Sequence, residues 1–268
     1  MDIQADPTLA FTVTFIAGIS TSIGAAAAFF VGKKDMAKMA LAMSFSAGVM
    51  IFVSFMGILP SSMQIISKEL PERAELAVYA SFFAGAAIAW AIDALVPEHI
   101  DAQTIEKCAD CPEKKAKATG GKAMKTALMA AIALSIHNFP EGISVFFTTL
   151  EDTRSGIAFA LAILLHNIPE GIAVALPVYN STGSKKKAFL WASFSGLAEP
   201  AGALIAFFAL GWLFTPAITG ACMAATGGLM VYIALDELLP MAREHDTQHA
   251  TIIGVFAGMG LVAGAWLL

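Results

Sequence analysis

The chain has 268 residues, of which 57% are hydrophobic and only 14% charged, and its mean hydropathy is +0.73. Soluble domains are usually about 45–50% apolar and about 25% charged, so this composition excludes an ordinary soluble protein. The net charge of −5 gives no indication of nucleic-acid binding, and the three cysteines provide no disulfide framework.

Apolar stretches of about 20 residues, the length that crosses a bilayer as a helix, recur along the whole chain. They predict an all-α integral membrane protein, with one transmembrane domain over residues 1–268. Gly, Ala and Ser are frequent in these stretches, which favours close helix packing in lipid and is compatible with a homodimer. The eight predicted spans cover approximately residues 9–31, 36–59, 74–96, 123–149, 156–179, 188–210, 216–239 and 250–268.

The loops between these spans carry very different amounts of positive charge. With both termini outside, the inside loops hold 13 of the 16 Lys and Arg residues. Cytoplasmic loops of membrane proteins are enriched in these residues. The sequence therefore predicts a multi-pass protein of the plasma or inner membrane with both termini outside.

One loop, residues 98–122, is long, polar and predicted to be cytoplasmic. It contains Cys108 and Cys111 in a Cys-x2-Cys pair, which is half of a tetrahedral thiolate metal site. Because a second ligand pair is missing, the alternative of two reduced cysteines in a flexible loop is favoured.

A six-residue motif occurs twice, in predicted spans four and five. His137-Asn138-Phe139-Pro140-Glu141-Gly142 is followed 29 positions later by His166-Asn167-Ile168-Pro169-Glu170-Gly171. On a helix, residues at i, i+3 and i+4 share a face. Each copy therefore places an imidazole, an amide and a carboxylate on one side of its helix.

The depth of the two motifs follows from counting along the spans. His137 lies 12 residues after Lys125 and His166 lies 12 after Arg154, which is about 18 Å of helix in each case. Both histidines are therefore expected near the middle of a hydrocarbon core about 30 Å thick. Glu199 lies 12 residues after Lys187 in span six, and reaches the same depth.

Three carboxylates at this depth need compensation, because a charge at the bilayer centre costs about 2.5–3.5 kcal/mol on insertion scales. No Lys or Arg lies at that depth in the sequence, so protons, water or a bound cation must provide it. A purely structural hydrogen-bonded network is the alternative, but such networks in membranes more often use Ser, Thr or Asn.

The ligand chemistry indicates the type of cation. Imidazoles together with carboxylates suit zinc and other divalent transition metals, whereas a site made only of oxygens would favour calcium or magnesium. The expected substrate is zinc, with iron(II), manganese, cobalt and cadmium discriminated poorly. The metal is cargo, and no cofactor is expected.

The paired motifs in spans four and five resemble those of the ZIP (Zrt-, Irt-like) family of divalent metal transporters, in its bacterial ZupT-like branch. The resemblance covers nearly the whole chain. It includes Ser195-Gly196-Leu197-Ala198-Glu199 and Asp236-Glu237-Leu238-Leu239-Pro240. It implies uptake of metal into the cytosol, by sliding of the metal-bearing helices, and a 3+2+3 arrangement in which the first and last three helices form an inverted repeat.

The resemblance also implies a ligand set. One metal sits on His137, Glu141, His166 and Glu170. A second metal sits on Asn138, Asn167 and Glu199, with Glu141 and Glu170 bridging. The chain departs from the ZupT-like pattern in span two, where a carboxylate is expected near position 57 and the residue is Gly57; the neighbouring residues Met50, Ser54 and Met56 are weak substitutes.

Further acidic residues lie near the inner ends of spans three and seven. Asp93, Asp236 and Glu237, with His99 in the following loop, either solvate the helix ends or form an exit path for the ion.

Two other classes of function were weighed against transport. An intramembrane metal-dependent hydrolase would need an asymmetric site with a general base, and the chain lacks the His-Glu-x-x-His motif. A metal sensor would need a sizeable signalling domain. The sequence therefore predicts a transporter and not an enzyme.

Overall fold

The computed structural model describes residues 6–30, 36–95, 113–210, 215–244 and 249–267. All regular structure in these ranges is helical, which confirms the all-α prediction. The α-helices are α1 (Pro7–Ala28), α2 (Met36–Val53), α3 (Leu59–Ser67), α4 (Ala74–Leu95), α5 (Glu113–Glu151), α6 (Thr153–Thr182), α7 (Lys185–Gly196), α8 (Ala198–Leu210), α9 (Pro216–Ile233), α10 (Leu239–Glu244) and α11 (Ala250–Leu267).

Within the described residues, seven helical stretches are long and apolar enough to cross a membrane. They correspond to seven of the eight predicted spans. The remaining prediction, residues 123–149, falls inside α5, which at 39 residues begins well before the apolar stretch. Residues 113–122 of the predicted loop are therefore helical, in keeping with the Ala, Lys and Glu at its start, which favour helix.

The helix ends follow from local capping chemistry. Short polar side chains accept a hydrogen bond from a backbone N–H in the first turn, which an unpaired helix start requires. They are Asp6, Asp152, Ser184 and Thr215. Hydrogen bonds from the side chain and backbone of Ser155 hold the pKa of Asp152, which lies outside the apolar stretch, below its ordinary value. Gly183 ends α6 with φ of +66°, in the left-handed region that favours glycine.

Two helices continue past a proline that the sequence suggested as an end. In α2–α3 and α9–α10 one π-helical turn precedes the Leu-Pro pair, at Ser54–Ile58 and Ala234–Leu238. The N–H of Leu59 donates to the carbonyl of Ser54, five residues back, and Leu239 does the same to Ala234. The wider turn accommodates a residue without an N–H, so the first helix reaches Ser67 rather than residue 59. The predicted sixth span, by contrast, is divided at Leu197 into α7 and α8.

The helices pack mainly within two groups. The motif group contains α1, α5, α6, α7 and α8, and both copies of the repeated motif lie in it. The flanking group contains α2, α3, α4, α9, α10 and α11. The two groups meet chiefly where α2 lies against α6 and where α9 lies against α5.

Glycines allow the backbones within each group to approach closely. A Cβ on Gly228 of α9 would collide with the carbonyl of Phe82 on α4, and one on Gly48 of α2 would collide with the carbonyl of Val255 on α11. Backbone contact of this kind is typical of helix packing in membranes, where small residues permit it.

This packing predicts that Gly228→Ala destabilises the protein, because an added methyl group meets backbone that cannot rotate away. Overpacking of this type costs about 1–3 kcal/mol, so the midpoint of thermal unfolding in detergent should fall. Gly264→Ala is the matched control, since a Cβ at Gly264 meets no described atom within 4 Å. Equal midpoints for the two variants would contradict the close approach.

Candidate metal centre

The two motif copies face each other across α5 and α6. His137 Nε2 lies 3.1 Å from Glu141 Oε1 within α5, and His166 Nε2 lies 3.9 Å from Glu170 Oε1 within α6. The i, i+4 spacing therefore places each imidazole beside the carboxylate of its own helix, as the sequence predicted. Both helices run through their motif prolines without a break.

The two helices also exchange contacts. His137 Nε2 lies 3.4 Å from Glu170 Oε1, and His166 Nε2 lies 3.3 Å from Glu141 Oε2. Glu141 thus reaches the two histidines with different oxygens, an arrangement that suits a bridging carboxylate. One ligand atom from each of His137, His166 and Glu170 lies within 4.8 Å of the other two. All four side chains are at most 1% exposed.

A second layer of polar groups lies next to this cluster. The amide nitrogen of Asn167 donates to Glu199 Oε1 and to the carbonyl of Ala17, which is 3.0 Å away. The amide nitrogen of Asn138 donates to the carbonyl of Ser195 at 3.3 Å. Glu199 is fully buried. The structure therefore brings the sequence-predicted residue Glu199 into contact with the second motif.

The amide nitrogens are engaged and the amide oxygens are not. Within the described part of the chain, Asn138 Oδ1, Asn167 Oδ1, Glu199 Oε2 and Glu170 Oε2 are buried without a hydrogen-bond partner. A buried polar atom without a partner costs roughly 1–3 kcal/mol, so such atoms are uncommon unless they bind something. Here several oxygens of one region share this condition beside two imidazoles, which fits coordination of a cation.

No cationic side chain neutralises the carboxylates. Among the residues whose burial is described, Glu141, Glu170 and Glu199 are buried and no Lys or Arg is. The donors are therefore two imidazole nitrogens, carboxylate oxygens and amide oxygens, a set suited to zinc and similar divalent metals.

The acidic residues of the flanking group continue from this cluster. Glu237, on the π-helical turn after α9, interacts electrostatically with His137 and Glu170 on one side and with Asp93 and Asp236 on the other. All three acidic side chains are partly exposed. His99, Cys108 and Cys111 lie outside the described residues.

The position of the missing span-two carboxylate is closely packed. A Cβ on Gly57 would come within 2.8–2.9 Å of the Trp266 ring. Of the weak substitutes, Met50 and Ser54 are buried, and the Ser54 hydroxyl donates to the carbonyl of Met50 within its own helix. Met56 is 59% exposed. None of these three residues contributes to the motif cluster in the contacts described above.

Two backbone groups that hold the site were not found from the sequence. The carbonyls of Ala17 and Ser195 fix the two asparagines, but a carbonyl leaves no mark in a sequence. Ser46 of α2, whose hydroxyl donates to the carbonyl of His166 at 3.3 Å, was also missed. A comparison of the chain with itself at an offset of 180 would have directed attention to it.

Helices that suit a bilayer and a buried cluster of metal ligands define a metal-handling membrane protein. A protein-family model described as the ZIP zinc transporter matches residues 96–265. The chain is 42% identical to the zinc transporter ZupT of Nitratidesulfovibrio vulgaris, with 97% of this chain and 96% of the relative aligned. It is 46% identical to that of Corynebacterium aurimucosum, over 95% and 94% of the two chains. The protein belongs to the ZIP family, which confirms the resemblance found in the sequence.

Proposed function

We propose that the protein takes up zinc, and with less preference iron(II), manganese, cobalt and cadmium, into the cytosol. The observation that carries this proposal is the buried cluster of His137, Glu141, His166 and Glu170, which lacks a cationic partner among the described residues. The relatives are zinc transporters by name, which supports zinc as the substrate. The mixed nitrogen and oxygen donors would bind the ion without thiolate, so that it can be released.

The ligands are assigned to two neighbouring metals. His137, Glu141, His166 and Glu170 hold the first. Asn138, Asn167 and Glu199 hold the second, and Glu141 and Glu170 bridge the two. The support for the second metal is the set of unpartnered buried oxygens on the two asparagines and Glu199. The anchored amide nitrogens favour this orientation, because they leave Oδ1 as the free atom of each asparagine.

The helices form eight spans in a 3+2+3 arrangement with an inverted repeat. Support comes from residues 180 positions apart in α2–α3 and α9–α10, which share both π-helical turns. The pairs with identical residues are Met43 and Met223, Gly48 and Gly228, Met50 and Met230, Leu59 and Leu239, and Pro60 and Pro240. Carriers built from inverted repeats bind their substrate near the midplane, at the repeat interface.

The close approaches of glycine to backbone support the same symmetry in the motif group. A Cβ on Gly142 of α5 would meet the carbonyl of Glu199, and one on Gly171 of α6 would meet the carbonyl of Thr21. Gly142 and Gly171 are equivalent positions of the repeated motif. Thr21 of the first span and Glu199 of the sixth therefore occupy matching places.

The membrane orientation places both termini outside the cytosol. The unequal division of Lys and Arg supports it. In this orientation Glu237, Asp236 and Asp93 lie towards the cytosol from the motif cluster and provide an exit path for the ion. The electrostatic interactions of Glu237 with both ends of this path support its role. His99, Cys108 and Cys111 would receive the ion beyond it.

A transport role is preferred to an intramembrane metal-dependent hydrolase. The two histidines and two glutamates are supplied almost symmetrically by the motif copies, whereas a zinc hydrolase keeps one open position beside a general base. The similarity to named transporters along nearly the whole chain favours the same conclusion.

The test is metal uptake by the purified full chain in sealed proteoliposomes. We expect zinc to accumulate in the lumen and the other divalent metals to compete with it, while magnesium and calcium do not. Repeating the series with and without a pH gradient measures proton coupling. Protein-free vesicles are the control. Uptake no faster than in these vesicles, or hydrolysis of a lipid or peptide without ion flux, would contradict the proposal.

A further inference from the structure

A hydrogen bond joins the flanking group directly to a metal-bearing helix. The Ser46 hydroxyl of α2 donates to the backbone carbonyl of His166 on α6 at 3.3 Å, and Ser46 and His166 are both fully buried. The other serine close by on α2, Ser44, bonds only to the Leu41 carbonyl of its own helix. Ser46 therefore fixes the position of α6 relative to the flanking group.

Both partners of this bond have equivalents in the internal repeats. Ser46 lies 180 residues before Thr226 on α9, in the register that pairs Gly48 with Gly228. His166 lies 29 residues after His137, its equivalent in the other motif copy. A symmetric molecule would therefore contain a second bond, from the Thr226 hydroxyl to the carbonyl of His137.

The structure departs from this symmetry at Thr226. Its hydroxyl donates instead to the carbonyl of Cys222, in its own helix, at 3.0 Å. Thr226 is only 4% exposed, so water does not take the place of the missing partner. The donor on α2 is thus engaged across the group boundary, and the equivalent donor on α9 is held within its own helix.

An asymmetry of this kind has a direct consequence for a carrier built from inverted repeats. Alternating access moves one repeat or bundle against the other around a fixed site. The opposite access state of such a molecule is generated when the two repeats exchange their conformations. The bonds that differ between the repeats are then the bonds that form and break in each cycle.

We propose that Ser46 and Thr226 are positioning residues that alternate in holding the metal-bearing helices. In the state described here Ser46 holds α6 through the carbonyl of His166. In the opposite state Ser46 turns to its own helix and Thr226 holds α5 through the carbonyl of His137. The proposal rests on the proposed transport function, because it assigns the two bonds to the two ends of the transport cycle.

The ion pair between Lys68 and Glu151 provides a reporter of the described state. Lys68 Nζ lies 3.0 Å from Glu151 Oε2 and joins the flanking group to the motif group near the ends of α3 and α5. Lys68→Cys and Glu151→Cys, in a full chain whose own cysteines are replaced by serine, can be joined by a flexible bismaleimide in metal-free proteoliposomes. The initial rate of cross-linking measures the population of this state.

Ser46→Ala should lower this rate and Thr226→Val should raise it, each by about threefold, the effect of a membrane hydrogen bond of average strength. The two changes should cancel in the double variant. Ser46→Thr retains a hydroxyl and should restore the rate of the parent. Ser44→Ala, which removes a bond within one helix, should leave it unchanged.

The opposite signs distinguish the proposal from a structural role. If Ser46 only stabilised the packing, Ser46→Ala would lower the rate and Thr226→Val would not raise it, and the proposal would be overturned. Shifts of equal sign would also overturn it. Zinc uptake is measured on the parent chain separately, so a protein that shows the two shifts but no uptake would refute the transport function alone.

Discussion

Glu141→Gln is expected to reduce zinc uptake by at least about 10–100-fold, the loss already seen when groups behind a metal ligand are changed. Glu141 contacts both histidines, with a different oxygen towards each. Glutamine keeps the size of the side chain but removes the negative charge and turns one oxygen into an amide nitrogen that repels a cation. The measurement is the initial rate of zinc uptake into proteoliposomes at a fixed amount of folded protein.

Glu199→Gln and Glu72→Gln complete this experiment. Glu199 contacts Asn167 and is assigned only to the second metal, so its substitution should slow uptake less than Glu141→Gln does. Glu72 is an exposed residue of the turn at Pro71–Arg73, and its substitution should have no effect. If the Glu141 variant transported zinc at the rate of the Glu72 variant, the assignment of the bridging ligand would be wrong.

His166→Asp should change which metal the protein prefers. The substitution replaces an imidazole nitrogen by a carboxylate oxygen in a site where His166 is completely buried. Nitrogen donors favour zinc, and oxygen donors favour harder ions such as manganese. We expect zinc uptake to fall and the ratio of zinc to manganese uptake to fall by about tenfold or more. The measurement is competition between the two metals in the same vesicles.

His249→Asp supplies the same chemical change away from the site. His249 is exposed and precedes α11 with φ of +70°, a conformation that aspartate tolerates. Its substitution should leave the ratio at the value of the parent. An unchanged ratio in the His166 variant, with uptake of both metals equally reduced, would show that His166 supports the fold rather than the choice of ion.

The local features of this protein could be read from single segments of sequence. Apolar stretches predicted the helices because a bilayer leaves few other ways to pair the backbone. The i, i+4 spacing predicted that His137 and Glu141 lie together, since helix geometry alone sets that distance. Counting residues from charged flanks added Glu199, which the structure places against Asn167.

Other local features had no readable signal. The Leu-Pro pairs at positions 59–60 and 239–240 suggested helix ends, but a π-helical turn carries both helices further. Gly57 marked only a missing carboxylate, whereas the fold places the Trp266 ring against it. Each outcome depends on a neighbour that is distant in the chain.

The sequence by itself determined the class of protein, the helical spans and the chemical identity of the motif residues, because these depend on composition and on spacing within one helix. The tertiary structure decided how the helices share the site. It placed Glu141 against His166, anchored the asparagines on carbonyls of α1 and α7, and joined Ser46 to α6. These contacts arise from close packing between helices far apart in the chain, where glycines allow backbones to touch, and no periodicity along one segment encodes them.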